Sequence, residues 1–199
     1  MSQPVSYFAT TTFLIACAAL AACGSESGDP TVNSNLLGIY AIDSFRGNDL
    51  GCDNPTEFDP PPSFVVLYSF VPNDDADEPR LGGVLCGSVD LCRAAARAAQ
   101  EPPFGYSFIE GNDAAGWRGW AVPSGGPAND QCRAEVQAHV LTPDGDTIEI
   151  ETKTFETVFE PALDGTTATC RVRDALLSLD DDPPCVDILV LDATFETGL

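Results

Sequence analysis

Eight cysteines in 199 residues constrain this chain more than any other feature. Thiols at that density persist as disulfides in an oxidising compartment and are rare in a reducing one. The chain therefore reads as an exported protein whose fold is stapled covalently. Cys17 lies inside an apolar run from Phe13 to Ala22, and Cys23 follows that run directly. The other six, Cys52, Cys86, Cys92, Cys132, Cys170 and Cys185, form an even set and predict three disulfides. A metal site is not expected from them: there is no C-x-x-C, and the chain has a single histidine. Sequence alone does not choose the connectivity, but Cys86 with Cys92 and Cys170 with Cys185 would each close a short loop.

The apolar run has the length of the h-region of an export signal and falls short of the roughly 20 residues that a membrane-spanning helix needs. It ends in Leu20-Ala21-Ala22-Cys23, which resembles the lipobox of bacterial lipoprotein precursors. The stretch before it, Met1 to Thr12, departs from the usual signal in having no Lys or Arg. The resemblance implies a signal peptide over residues 1–22 and a mature chain that begins at an acylated Cys23. With more than one acyl chain, at about 0.8 kcal/mol per buried methylene, attachment to the membrane is lasting. Gly24 and Ser25 stand where an inner-membrane retention signal would place Asp, so outer-membrane sorting is expected, periplasmic or surface facing. Residues 23–35 have linker composition and are expected to form an acylated, flexible spacer spanning on the order of 20 Å. The remaining 36–199 is expected to be one domain.

Asp and Glu number 31 against 9 Lys and Arg, giving a formal charge of -22. Nucleic acid and anionic lipid surfaces are poor partners for such a chain. The membrane contact is expected through the lipid anchor alone. At 44% hydrophobic residues the sequence is too apolar for a disordered polyanion and can bury a core.

From Cys132 to Phe155 apolar and polar residues alternate in a strand pattern broken by Thr142-Pro143-Asp144-Gly145, the chemistry of a three-residue hairpin turn. Pairing Thr142 with Asp146 places Val140 opposite Ile148, His139 opposite Glu149 and Glu135 opposite Lys153. Further strands are expected over 36–45, 63–71, 81–86, 104–110, 117–122, 167–172 and 186–196. The segment 63–71 is apolar on both faces and so reads as central. One helix is expected from Val89 to about Gln100, with Ser88 as its cap and Pro102-Pro103 as its stop, and a second, short one over 174–179. Many strands without β-α alternation predict a mainly β fold: an antiparallel barrel or a sandwich of about eight to ten strands, with the helix near 89–100 inserted. The tetrapeptide Leu37-Gly38-Ile39-Tyr40 resembles the opening of lipocalin-type barrels, which implies a calycin-like barrel. The sandwich stands beside it as an equal alternative.

No catalytic residue is singled out. His139 is expected on the polar strand face beside Glu149, and no G-x-S-x-G or S-x-x-K accompanies it. Glu149 and Glu151 read as a solvated face, and Lys153 as one half of a structural ion pair. Asp74, Asp75 and Asp77 are a weak calcium candidate, but an EF-hand needs Gly and Glu where this segment has Glu78 and Val84. Trp117 and Trp120, three apart on one strand, must point to opposite faces, so one of them is free to contact a ligand or partner. No cofactor is called for. The expectation is a lipid-anchored, non-catalytic binding domain for a small apolar ligand or an envelope protein; a structural or assembly lipoprotein is the alternative, and a hydrolase ranks behind both.

Overall fold

The computed structural model describes residues 32–49, 51–58, 62–72, 78–98, 105–128, 131–164, 167–179 and 183–199. The expected signal peptide over residues 1–22, Cys23 and the calcium candidates Asp74, Asp75 and Asp77 lie outside them. The elements run β1 (Gly38–Asn48), β2 (Thr56–Glu57), β3 (Phe64–Phe70), β4 (Arg80–Cys86), α1 (Val89–Ala98), β5 (Tyr106–Phe108), β6 (Glu110–Asn112), β7 (Gly116–Ala128), β8 (Gln131–Asp144), β9 (Thr147–Phe159), β10 (Ala162–Asp164), β11 (Thr167–Thr169), α2 (Val172–Leu177) and β12 (Cys185–Thr197).

Ten of these strands form one antiparallel sheet: nine run in the order β5-β4-β3-β1-β12-β9-β8-β7-β6, and β2 pairs with β1 off this path. The sheet curls into a nearly closed barrel, because its first and last members are consecutive in the chain: Ile109 links β5 to β6, and its N–H donates to the Arg118 carbonyl at 2.7 Å. At this seam a Cβ on Gly119 would run into the Ser107 carbonyl, so only glycine allows the approach. The sandwich alternative falls away.

Three apolar clusters hold the fold. The barrel interior contains Tyr40, Val65, Leu67, Leu81, Tyr106, Phe108, Trp117, Leu141, Ile150 and Leu191. Fully burying a side chain of this size contributes about 1.5–3 kcal/mol. Outside the wall, α1 covers Ile39, Val66, Tyr68 and Phe70. That is why β3 is apolar on both faces: one row lines the barrel and the other lies under the helix. Ser88 caps α1 by accepting the Leu91 N–H at 3.3 Å, while Asp90 and Arg97 sit at the ends that suit their charges. The third cluster lies outside β8, where Ala134 and Val136 are buried under Ala175 of α2.

Strand directions place all three disulfides at one end of the barrel. Cys86–Cys92 ties the last residue of β4 to α1, Cys52–Cys185 ties the loop after β1 to the start of β12, and Cys132–Cys170 ties the start of β8 to the approach to α2. The expected short loop Cys86–Cys92 is present. The expected Cys170–Cys185 is not, because the sheet carries the two residues to different partners across the same end.

At the opposite end the chain enters β1. Residues 32–35, expected in the flexible spacer, are instead fastened to the barrel: Val32 N–H donates to Ser69 Oγ at 2.9 Å, and Asp113 accepts from Ser34 Oγ at 2.7 Å and from the Asn35 N–H at 2.6 Å. Val32, Leu36 and Leu37 pack onto the interior cluster.

Candidate binding site at the disulfide end of the barrel

The hairpin β8–β9 carries the site, and its register differs from the sequence expectation. Asp144 pairs with Thr147, Thr142 with Glu149, Leu141 with Ile150 and His139 with Thr152. The turn is the two-residue Gly145-Asp146, with Gly145 at φ +63°, and not the three-residue loop 143–145. The pairing therefore shifts by three residues, an odd number, and β8 presents its other face to the barrel. His139 is not beside Glu149 at the surface. It is 2% exposed, inside. Lys153 likewise does not meet Glu135; it stands opposite Ala138 on the outer wall and pairs with Glu151 at 2.9 Å.

The true register arranges the inner wall in rows along the barrel axis. Nearest the end where the chain enters, one row is Trp117, Leu141, Ile150, Leu191 and Phe45, all apolar. The next is Gly119, His139, Thr152, Leu189 and Gly47, and the next Ala121, Gln137, Thr154 and Asp187. Beyond a bulge in β7 come Ser124, Glu135 and Glu156, then Gly126, Arg133 and Val158. On the side made by β7, β8, β9 and β12 the wall passes from apolar through neutral polar to charged, while β3 and β4 stay apolar with Val65 and Leu85. At that end it is open to water: Glu135, Glu156 and Arg133 are exposed, and so are the inward-facing Leu85 and Val158. A cleft of about 280 Å³ is lined there by Ser124, Gly125, Gly126, Pro127, Arg133, Ala134, Glu135 and Glu156.

His139 lies where the wall changes character. Its Nδ1 is 2.9 Å from Thr152 Oγ1, and its ring stands edge to face with Tyr106 at 5.4 Å and Phe108 at 6.5 Å between centroids. Its other nitrogen, Nε2, is buried without a hydrogen-bond partner among the described residues. Leaving a buried polar atom unsatisfied costs about 1–3 kcal/mol. Burial pushes the imidazole down to about 4, so the ring is neutral at physiological pH. The same burial pushes Tyr106 up to about 12 and keeps its phenol protonated.

The two tryptophans separate as strand geometry requires. Trp117 belongs to the barrel interior, where its Nε1–H donates to Asp113 Oδ1 at 3.0 Å. Trp120 is exposed on the outer wall opposite Ala138. Among the described residues there is no group of three or more His, Cys, Asp or Glu arranged to hold a metal ion.

Sequence reasoning missed Tyr106, Phe108, Thr152, Thr154 and Gln137 as one wall. A signal was available: Leu141, the largest apolar residue of its strand, shares the parity of His139 and not that of Val136. Compared with known protein families, curated proteins and solved structures, the chain matches none.

Proposed function

We propose that this protein is a membrane-anchored lipoprotein whose barrel is a non-catalytic binding domain, taking a small ligand at its disulfide end. The observation that carries the reading is the graded inner wall. A barrel that only needs a core fills its interior with apolar side chains, whereas this one turns polar and then charged along β7, β8, β9 and β12 toward one end, with a buried histidine nitrogen left open at the transition.

Two further features support it. Three disulfides are consistent with an exported protein, and no described helix is long and apolar enough to cross a membrane, so an acylated Cys23 would supply the attachment. The chain enters the barrel at the end opposite the charged part of the graded wall. A ligand would thus reach its site from the aqueous side and not from the bilayer.

Native mass spectrometry tests the binding reading on residues 24–199, exported to an oxidising periplasm and purified gently. An adduct lost on unfolding is expected. A bare mass across preparations from the native envelope overturns the reading in favour of an assembly lipoprotein, for which the exposed Trp120 is the first contact to crosslink. The anchor is tested separately: Cys23→Ser should move the protein from the membrane fraction to the soluble one, and retention in the membrane would remove the lipoprotein assignment.

A further inference from the structure

We propose that the ligand is a small uncharged molecule bearing a hydroxyl group, which completes the hydrogen bonding of His139 through Nε2 and lies against the rings of Tyr106 and Phe108. This rests on the binding reading above and narrows it to a chemical class.

The argument begins with the ring itself. One nitrogen faces the Thr152 hydroxyl, which can donate or accept, so either tautomer of His139 is compatible with that contact. Nε2 then carries a proton in one tautomer and a lone pair in the other. A hydroxyl group satisfies both, because it donates and accepts. A carboxylate satisfies one tautomer only, and it would have to pass Glu135, Glu156 and Asp187, which face the same passage from β8, β9 and β12. A cation passes those carboxylates readily, but among the described residues none of the groups seen against the ring, Thr152, Gly119, Tyr106 and Phe108, is a buried anion. An isolated charge there is strongly disfavoured. A purely apolar molecule leaves Nε2 as it is and gains nothing from His139.

The end where the chain enters is covered by the packed segment Val32–Leu37, so the ligand comes from the disulfide end.

The chain has a single histidine, so its two imidazole nitrogens give one unambiguous pair of NMR signals. The experiment is a titration of the ¹⁵N-labelled mature domain, purified without a histidine tag, with phenol as the hydroxyl probe and with benzoate and toluene as its charged and apolar counterparts. Phenol is expected to move the Nε2 resonance saturably in the millimolar range. Benzoate and toluene should bind about tenfold more weakly or worse, the worth of one hydrogen bond to a buried group. Phenol binding, followed by its own line broadening, should fall about tenfold in His139→Phe and be partly kept in His139→Gln. Failure of phenol to move Nε2 overturns the inference, as does equal binding of benzoate or toluene. So does a resident water that stays on the Nε2 signal in the presence of phenol. If native mass spectrometry shows an adduct while phenol leaves the ring untouched, the binding reading stands and the hydroxyl inference falls.

Discussion

Where the chain enters the barrel, the inner row is Trp117, Leu141, Ile150, Leu191 and Phe45, and Val32–Leu37 is folded across it. At the other end the inner rows are Gln137, Thr154 and Asp187, then Glu135 and Glu156, and all three disulfides gather there. The contrast has a physical reason. Apolar burial stabilises by about 25 cal/mol per Å², and a wall of threonines and carboxylates forgoes it. Cross-links that reduce the freedom of the unfolded chain replace it where the interior is kept polar. Inside the barrel one end is held by burial, whereas the other relies on covalent closure together with the packing of α1 and α2 on the outer wall.

The strongest way to break this comparison is to remove the covalent half. Cys52–Cys185 spans 133 residues, and on the chain-entropy account its loss through a double Cys→Ser exchange costs about 5 kcal/mol, against about 2 kcal/mol for Cys86–Cys92. Urea unfolding of the two variants should rank them in that order. Equal losses would mean that the disulfide end draws its stability from packing after all.

The pH dependence of stability sharpens the comparison from the interior. His139 is depressed to about 4 in the folded state by burial, while the unfolded chain takes up a proton near 6.5. Between those values the unfolded state binds more protons, so stability is full above about pH 6.5 and falls as the pH drops toward 4, by up to about 3 kcal/mol. His139→Phe should flatten that part of the profile. A slope unchanged in the variant would place the histidine in water and undo the register given above.

A smaller effect is expected at the burial-held end. Asp113 is desolvated, which raises its pKa, but bonds from Ser34, Asn35 and Trp117 outweigh this and hold it below the usual aspartate range. Its share of stability is present at neutral pH and lost only as the pH falls through that lowered value. Asp113→Ala should cost about 1–2 kcal/mol and raise amide exchange in residues 32–36 selectively. Exchange raised evenly over the barrel would show that the segment is part of the core and not a strap laid on it.

The sequence exposed the fold class through features that stay local. The alternation of β8 and β9, the Ser88 cap with its alanine-rich helix and the doubly apolar β3 can all be read within a few residues. The site was hidden because it depends on parity, which a single turn decides. Ala134 and Val136 look like the inner face, and they are buried, but under α2 on the outside. The inner face is their neighbours Gln137, His139 and Leu141. No local pattern distinguishes a residue covered by a distant helix from one facing a barrel. The resemblance to lipocalin openings was confined to four residues, and the disulfide pairing depended on which strand ends meet.

The pairing of β1 with β12 joins Ile39 to Thr197 and Ile42 to Ala193 in the middle of the sheet. A barrel whose first and last long strands are neighbours has high contact order, so folding is slow relative to a helical domain of its size. No closed wall exists until β12 is available, and Cys52 likewise waits for Cys185. Until then the apolar face of β3 and the edge of β1 stand uncovered. The exposure of a half-made barrel to aggregation is set by how late that last strand arrives.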